Sequence, residues 1–223
     1  MANRNLEQDN LFKEIDEDLR QQKYADLWKK YGKIIIGALV SMVLVVASIK
    51  IWESYDLNRR SINSNSLSSA LNSIEKDKHK DAIAVLDDLI KNGSAGYSVL
   101  AQFNQAAVFL KKGEKKNAMT AYNSISENNN IEKNFRDIAL IMAAQIGLER
   151  GIPNVYQKKL STLINAGNAW RHSAKELSAL FAQKSGDKTK ANNLYKELSD
   201  DITAPPGIRS RAAEMVAILS NQN

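Results

Sequence analysis

Sixteen consecutive residues, 34–49, carry no charge and are framed by Lys33 and Lys50. At about 1.5 Å per residue a helix of that length covers about 24 Å, short of a bilayer core of about 30 Å. Snorkelling of both lysine ammonium groups lengthens the effective span to run from Tyr31 to Trp52, about 33 Å. Trp28 and Tyr31 before the run, and Trp52 and Tyr55 after it, supply an aromatic belt for each interface. A buried core helix of a soluble domain would be shorter and would keep a polar face. A cleaved signal peptide is the closer rival, with Val45 and Ala47 at −3 and −1 of a formal cleavage site, but the charged region before the apolar run is too long for one. The segment therefore reads as an uncleaved signal anchor.

Orientation follows from lysine and arginine. Arg20, Lys23, Lys29, Lys30 and Lys33 precede the run within about twenty residues, while Lys50, Arg59 and Arg60 follow it. This bias expects a cytoplasmic N-terminus and, in a bacterium, a periplasmic C-terminal part. The expected organisation is a cytoplasmic leader (1–30), a membrane anchor (31–53) and a folded exported domain (58–223). In the leader, Leu11, Phe12, Ile15 and Leu19 form the stripe of a short amphipathic helix, too acidic to lie on a lipid surface.

The remainder of the chain repeats. A turn residue is followed five positions later by a small residue and nine positions later by a bulky one. Gly113, Ala118 and Tyr122 fit this frame, as do Gly186, Ala191 and Tyr195. Asp77, Ala82 and Leu86 make a weaker copy; Gly151, Tyr156 and Leu160 make another, with a large residue where a small one is expected. Alanine recurs seven positions before each turn, at Ala70, Ala106, Ala144 and Ala179. Small residues on both sides of a turn let two antiparallel helices approach closely, and the bulky residue fills the gap to the next pair. The turns are separated by 36, 38 and 35 residues, near the 34 of a tetratricopeptide repeat. The expected fold is all-α: an N-terminal transmembrane helix, then a tetratricopeptide-like right-handed helix-pair solenoid of about four pairs with a C-terminal capping helix after Pro205-Pro206. Residues 73–90 read as helix, and Val99, Ala101, Phe103, Ala106, Ala107 and Leu110 as one apolar face.

Composition removes most chemistry. The absence of cysteine excludes disulfides, thiolate nucleophiles and cysteine metal sites, and two histidines exclude a multi-histidine centre. The net charge of +6 is spread as pairs such as Lys111-Lys112 and Lys115-Lys116 with no run of five, so nucleic acid is not an expected partner. His79 sits in a polar stretch and reads as exposed, and His172 reads as packing or capping. Asp87-Asp88 reads as a solvated edge and Asp200-Asp201 as a helix terminus. No phosphate loop or nucleophile elbow occurs. No catalytic, cofactor or metal residue is expected, and the chain reads as non-enzymatic. First-helix placement marks Gln102, Gln105, Arg136 and Lys175 as partner-binding residues of the groove.

The leader Leu11-Phe-Lys-Glu-Ile-Asp-Glu-Asp-Leu-Arg20, the flank Leu27-Trp-Lys-Lys-Tyr-Gly32 and the first-repeat stretches 66–70 and 101–110 resemble the YfgM-like ancillary subunits of the SecYEG translocon. The resemblance implies an inner-membrane protein beside the Sec translocon. It further implies contacts with PpiD-type periplasmic chaperones or emerging, unfolded polypeptides. An envelope scaffold for cell division or peptidoglycan assembly, and a periplasmic holdase chaperone, remain alternative readings, and homo-oligomerisation is left open.

Overall fold

A computed structural model describes residues 2–151, 153–165 and 167–220, with side chains from residue 27 onward except 35, 153 and 154. The leader stripe Leu11, Phe12, Ile15 and Leu19 lies outside the described side chains. Among the described residues the chain is helical with no strand. Its elements are α1 (Ala2–Glu75), α2 (His79–Asn92), α3 (Ala95–Lys111), α4 (Lys115–Glu127), α5 (Lys133–Glu149), α6 (Pro153–Ser161), α7 (Arg171–Lys184), α8 (Lys188–Asp200) and α9 (Pro206–Ser220). The chain divides into two units, Met1–Arg59 and Arg60–Asn223.

In the first unit, α1 passes through the apolar run without interruption. The stretch Leu27–Glu75 is long and apolar enough to cross a membrane, and none of its most apolar window is covered by the rest of the chain. Two polar side chains fall inside the run, and both are satisfied locally. Ser41 donates to the Gly37 carbonyl and Ser48 to the Leu44 carbonyl, each at 2.8 Å. Hydroxyls bonded back one turn leave no free polar group to meet hydrocarbon.

The second unit is built on the repeat. All four turn residues take left-handed backbone angles: Asp77 at φ 56°, Gly113 at 76°, Gly151 at 72° and Gly186 at 84°. Glycine reaches that region without steric cost, and aspartate is among the side chains that tolerate it. At three of the turns the residue that follows closes the same kind of bond, back to a carbonyl in the last turn of the leading helix. Lys78 N–H reaches the Ser73 carbonyl at 2.9 Å, Glu114 that of Phe109 at 2.8 Å and Asp187 that of Ala182 at 2.9 Å. This satisfies carbonyls at the end of the leading helix and turns the chain back along it. The 73–90 helix expected from sequence is thus broken at residues 76–78, where Asp77 reverses the chain between α1 and α2.

The positions set by the frame are all core. Ala70, Ala106, Ala144 and Ala179 before the turns, and Ala82, Ala118 and Ala191 after them, are fully buried; Leu86, Tyr122, Leu160 and Tyr195 are buried nine positions on. The frame also extends further than the sequence showed, with Leu89, Ile125, Leu163 and Leu198 buried twelve positions after each turn. Pairing is α1 (its end) with α2, α3 with α4, α5 with α6 and α7 with α8. Ala212 and Leu219 of α9 close the last pair by packing with Leu198 and Tyr195. A terminal helix over the last pair is what an open-ended array requires.

Tyr156, the oversized residue of the third repeat, has a compensation. A Cβ at Gly147 would lie 2.4 Å from the Tyr156 ring, so the ring occupies the space that the absent side chain leaves. Its hydroxyl exchanges hydrogen bonds with the Asn123 amide at 3.0 and 3.2 Å, and the ring stacks on Phe181 with centroids 6.4 Å apart.

The long connection after α6 is held by one buried polar network. Asn168 Nδ2 donates to Asp137 Oδ2 at 2.7 Å, Lys133 donates to the same oxygen, and Asn168 Oδ1 accepts from Trp170 N–H at 2.8 Å. Asp137 and Asn168 are 7% and 8% exposed, so loss of one strands the other. Asp137→Ala is expected to lower unfolding free energy by about 2 kcal/mol, whereas Asp137→Asn retains part of the network. Urea titration of the two variants checks this, and equal loss in both would show that charge, not hydrogen bonding, holds the loop.

Candidate partner-binding groove

The leading helices of successive pairs lie side by side, and between α5, α7 and α9 they enclose a cleft of about 450 Å³. Its walls are Ile138, Ile141, Met142 and Gln145 from α5, Ser173, Glu176, Leu177 and Leu180 from α7, Trp170 before it, and Ile208 and Arg211 from α9. Measured from their own turns, Ile138, Ile141 and Gln145 stand thirteen, ten and six positions before Gly151. Ser173, Glu176 and Leu180 stand at the same three offsets before Gly186. The groove is therefore a property of the repeat. The same offsets before Gly113 give Leu100, Phe103 and Ala107; before Asp77 they give Ser64, Leu67 and Leu71. Leu100 and Leu71 are 41% and 40% exposed, apolar side chains with an open face to solvent.

This row also corrects one expectation. The stripe from Val99 to Leu110 is not a single face: Val99, Ala101 and Ala106 are buried while Ala107 and Leu110 are exposed. On α3 the buried side chains face the neighbouring helices while Leu100, Ala107 and Leu110 stay open to solvent. The excess of apolar residues on α3 and α5 over what one buried stripe needs was the available signal for the groove.

One ion pair stands at the C-terminal end. Arg211 donates to Glu176 through Nε at 2.8 Å and Nη2 at 2.9 Å, a bidentate fork that raises the already high guanidinium pKa. Beneath it, burial and then the Glu176 charge push the Tyr195 hydroxyl up to about 12, so it stays neutral. His172, 7% exposed, meets Asp201 Oδ2 through Nε2 at 3.0 Å. Thr203 hydrogen bonds, assisted by His172, hold the Asp201 carboxyl down at about 2. That pair ties the start of α7 to the end of α8, where sequence placed a packing histidine and a helix terminus. His79 differs from expectation: its side chain is only 22% exposed, and Nδ1 is buried without a partner, because α2 begins at this residue and tucks the ring against the turn.

The four sequence-marked residues lie outside the cleft walls and are not gathered together. Gln102 is half-buried and makes a long bond to Ser98 Oγ at 3.5 Å. Gln105 donates to Asp87 across to α2, and Lys175 reaches Glu197 of α8 at 2.9 Å. Arg136 donates through Nη1 to Asn129 at 2.8 Å in the connection before α5, with its Nε buried and unpartnered. Among the described residues no group of three or more His, Cys, Asp and Glu side chains is placed to hold a metal ion.

Stacked helix pairs with a cleft between their leading helices define a protein-interaction scaffold. The sequence model of the tetratricopeptide repeat-like domain family matches residues 25–211, and the chain belongs to that family. Such domains are in general non-catalytic protein-interaction modules. No curated protein matches the chain.

Proposed function

We propose that this chain is a non-enzymatic, membrane-anchored adaptor that holds protein partners on its helix-pair array at the outer face of the bacterial inner membrane, beside the Sec translocon. The observation that carries this reading is the cleft between α5, α7 and α9, whose walls join apolar Ile138, Met142, Trp170, Leu177 and Leu180 to polar Ser173, Glu176 and Arg211. A groove of that kind accepts the apolar face of a helix or an extended segment, the form in which a chaperone tail or an emerging polypeptide presents itself. The lysine and arginine bias around the apolar run supports a cytoplasmic N-terminus and an exported second unit, with leader, anchor and domain divided near residues 30 and 53. Anchoring raises the effective concentration of the array for partners in the same membrane. The resemblance to YfgM-like subunits supports translocon subunits, PpiD-type chaperones and unfolded polypeptides as those partners.

The test is affinity capture of the full-length chain from mildly solubilised membranes. Translocon subunits are expected to accompany the chain, to fall on exchange of its anchor for an unrelated span, and to fall about tenfold with Leu180→Glu in the cleft. Division or cell-wall proteins in their place would move the reading to an envelope scaffold. Suppression of client aggregation without stable capture would move it to a holdase. Gln102, Gln105, Arg136 and Lys175 belong to the same proposal as flanking contacts, and intact capture after all four become Glu would remove them from it.

A further inference from the structure

The charge of the second unit is concentrated on one edge. The unit from Arg60 onward carries 22 basic and 16 acidic residues. The turns joining the helices of each pair (residues 75–81, 111–117, 149–151 and 184–190) hold eleven of those basic residues against six acidic ones. The connections at the other edge (91–94, 127–133, 161–171 and 200–206) hold three basic and four acidic. The last three turns touch: Lys115 of the second pairs with Glu149 of the third at 2.7 Å, and Lys184 of the fourth donates to the Leu148 carbonyl beside the third at 2.6 Å. The repeat thus lines its lysines up, although no run of them exists in the sequence.

Three of the six acids on this edge are already engaged. Glu114 is paired with Lys112 and Glu149 with Lys115, while Asp187 accepts from Lys190 N–H as a helix cap. Lys78, Lys80, Lys111, Lys116, Arg150 and Lys188 are exposed and make no ion pair. Four turns at about 8–10 Å between neighbouring helices make a strip about 30 Å long.

We propose that this turn edge is a second docking surface, separate from the apolar groove, that takes an acidic segment of a partner protein. Lysine gives diffuse, strongly hydrated attraction without fixed geometry, which suits carboxylates arrayed along a helix or an extended chain. Among the described residues of the four turns there is no Trp, Tyr or Phe for bases to stack upon, which disfavours single-stranded nucleic acid. Nor is there a large apolar side chain to enter the acyl region, as a surface-bound lipid reader needs.

The test uses the full-length chain in uncharged detergent and a fluorescent Glu/Ala peptide of about 20 residues, long enough as a helix to cover about 30 Å. Anisotropy at low salt is expected to show binding that weakens as ionic strength rises. Lys111→Glu, Lys116→Glu and Lys188→Glu together are expected to weaken it about tenfold or more. Lys91→Glu, Lys158→Glu and Lys196→Glu, an equal change of net charge away from the edge, should weaken it less than about threefold. Equal loss in the two triple variants would overturn the proposal in favour of undirected net charge. It would also fall if the peptide failed to bind, or if anionic-lipid vesicles or an oligonucleotide engaged the edge lysines and the peptide did not.

Discussion

Gly147→Leu is expected to destabilise the second unit by about 3 kcal/mol, near the upper end for overpacking, despite the gain in helix propensity over glycine. The reason is specific to the third repeat. Even a Cβ at this position would sit 2.4 Å from one ring carbon of Tyr156 and 2.7 Å from another. The ring cannot slide away, because Asn123 holds its hydroxyl and Phe181 covers its face. Tyr156→Ala alone leaves a cavity at a side chain only 2% exposed and is expected to cost about 3–4 kcal/mol. Combining Tyr156→Ala with Gly147→Ala gives the third repeat the small residue that the others carry after their turns. The double variant should therefore lose at least about 1 kcal/mol less than the sum of the two single alanine substitutions. Urea unfolding of the four proteins measures the coupling, and strict additivity would mean that ring and glycine do not share one space.

Arginine at both Met42 and Val43 should turn a membrane-bound chain into one released by alkaline carbonate. Each arginine at the centre of a spanning helix costs about 2.5–3.5 kcal/mol of insertion, so the pair opposes it by about 6 kcal/mol. The wild-type run offers no partner charge to offset that, since its exposed surface is Val, Leu, Ile and Met and its two serines are bonded back to their own helix. Retention of the doubly charged chain in the carbonate pellet would show that residues 34–49 do not span a bilayer. The same arginines leave the Arg60–Asn223 unit unchanged in sequence, so its circular dichroism should keep its helical signature.

Much of this architecture was readable because the repeat is written in residues with narrow uses. Glycine with a positive φ, alanine at a helix contact and tyrosine in the gap between pairs each have one good reason to recur at fixed spacing. Asp77 was recognisable for the same reason, and its left-handed backbone shows that the degenerate first copy is a real turn. The compensation at Gly147 was hidden because it joins a residue of one helix to another nine positions on, through a space that no periodicity describes. The groove was hidden differently. Polar residues on leading helices were the natural candidates for partner contact, yet Gln105 and Lys175 point across to adjacent helices, while the cleft is walled mainly by apolar residues. The basic edge depends on turns about 36 residues apart meeting in space, which linear charge runs do not report.

The leading helix of the first pair differs from the other three in having no amino-terminus. It is the last part of α1, which begins at Ala2 and continues without a break to Glu75. Every other leading helix must find partners for four free N–H groups at its start, whereas the stretch that serves the first pair lies inside α1. The first pair thus takes its beginning from within α1, and severing the chain at Arg60 exposes a helix end inside that element. An excised array that starts several residues upstream, or that opens on a serine or aspartate cap, keeps the N–H groups of that helix satisfied.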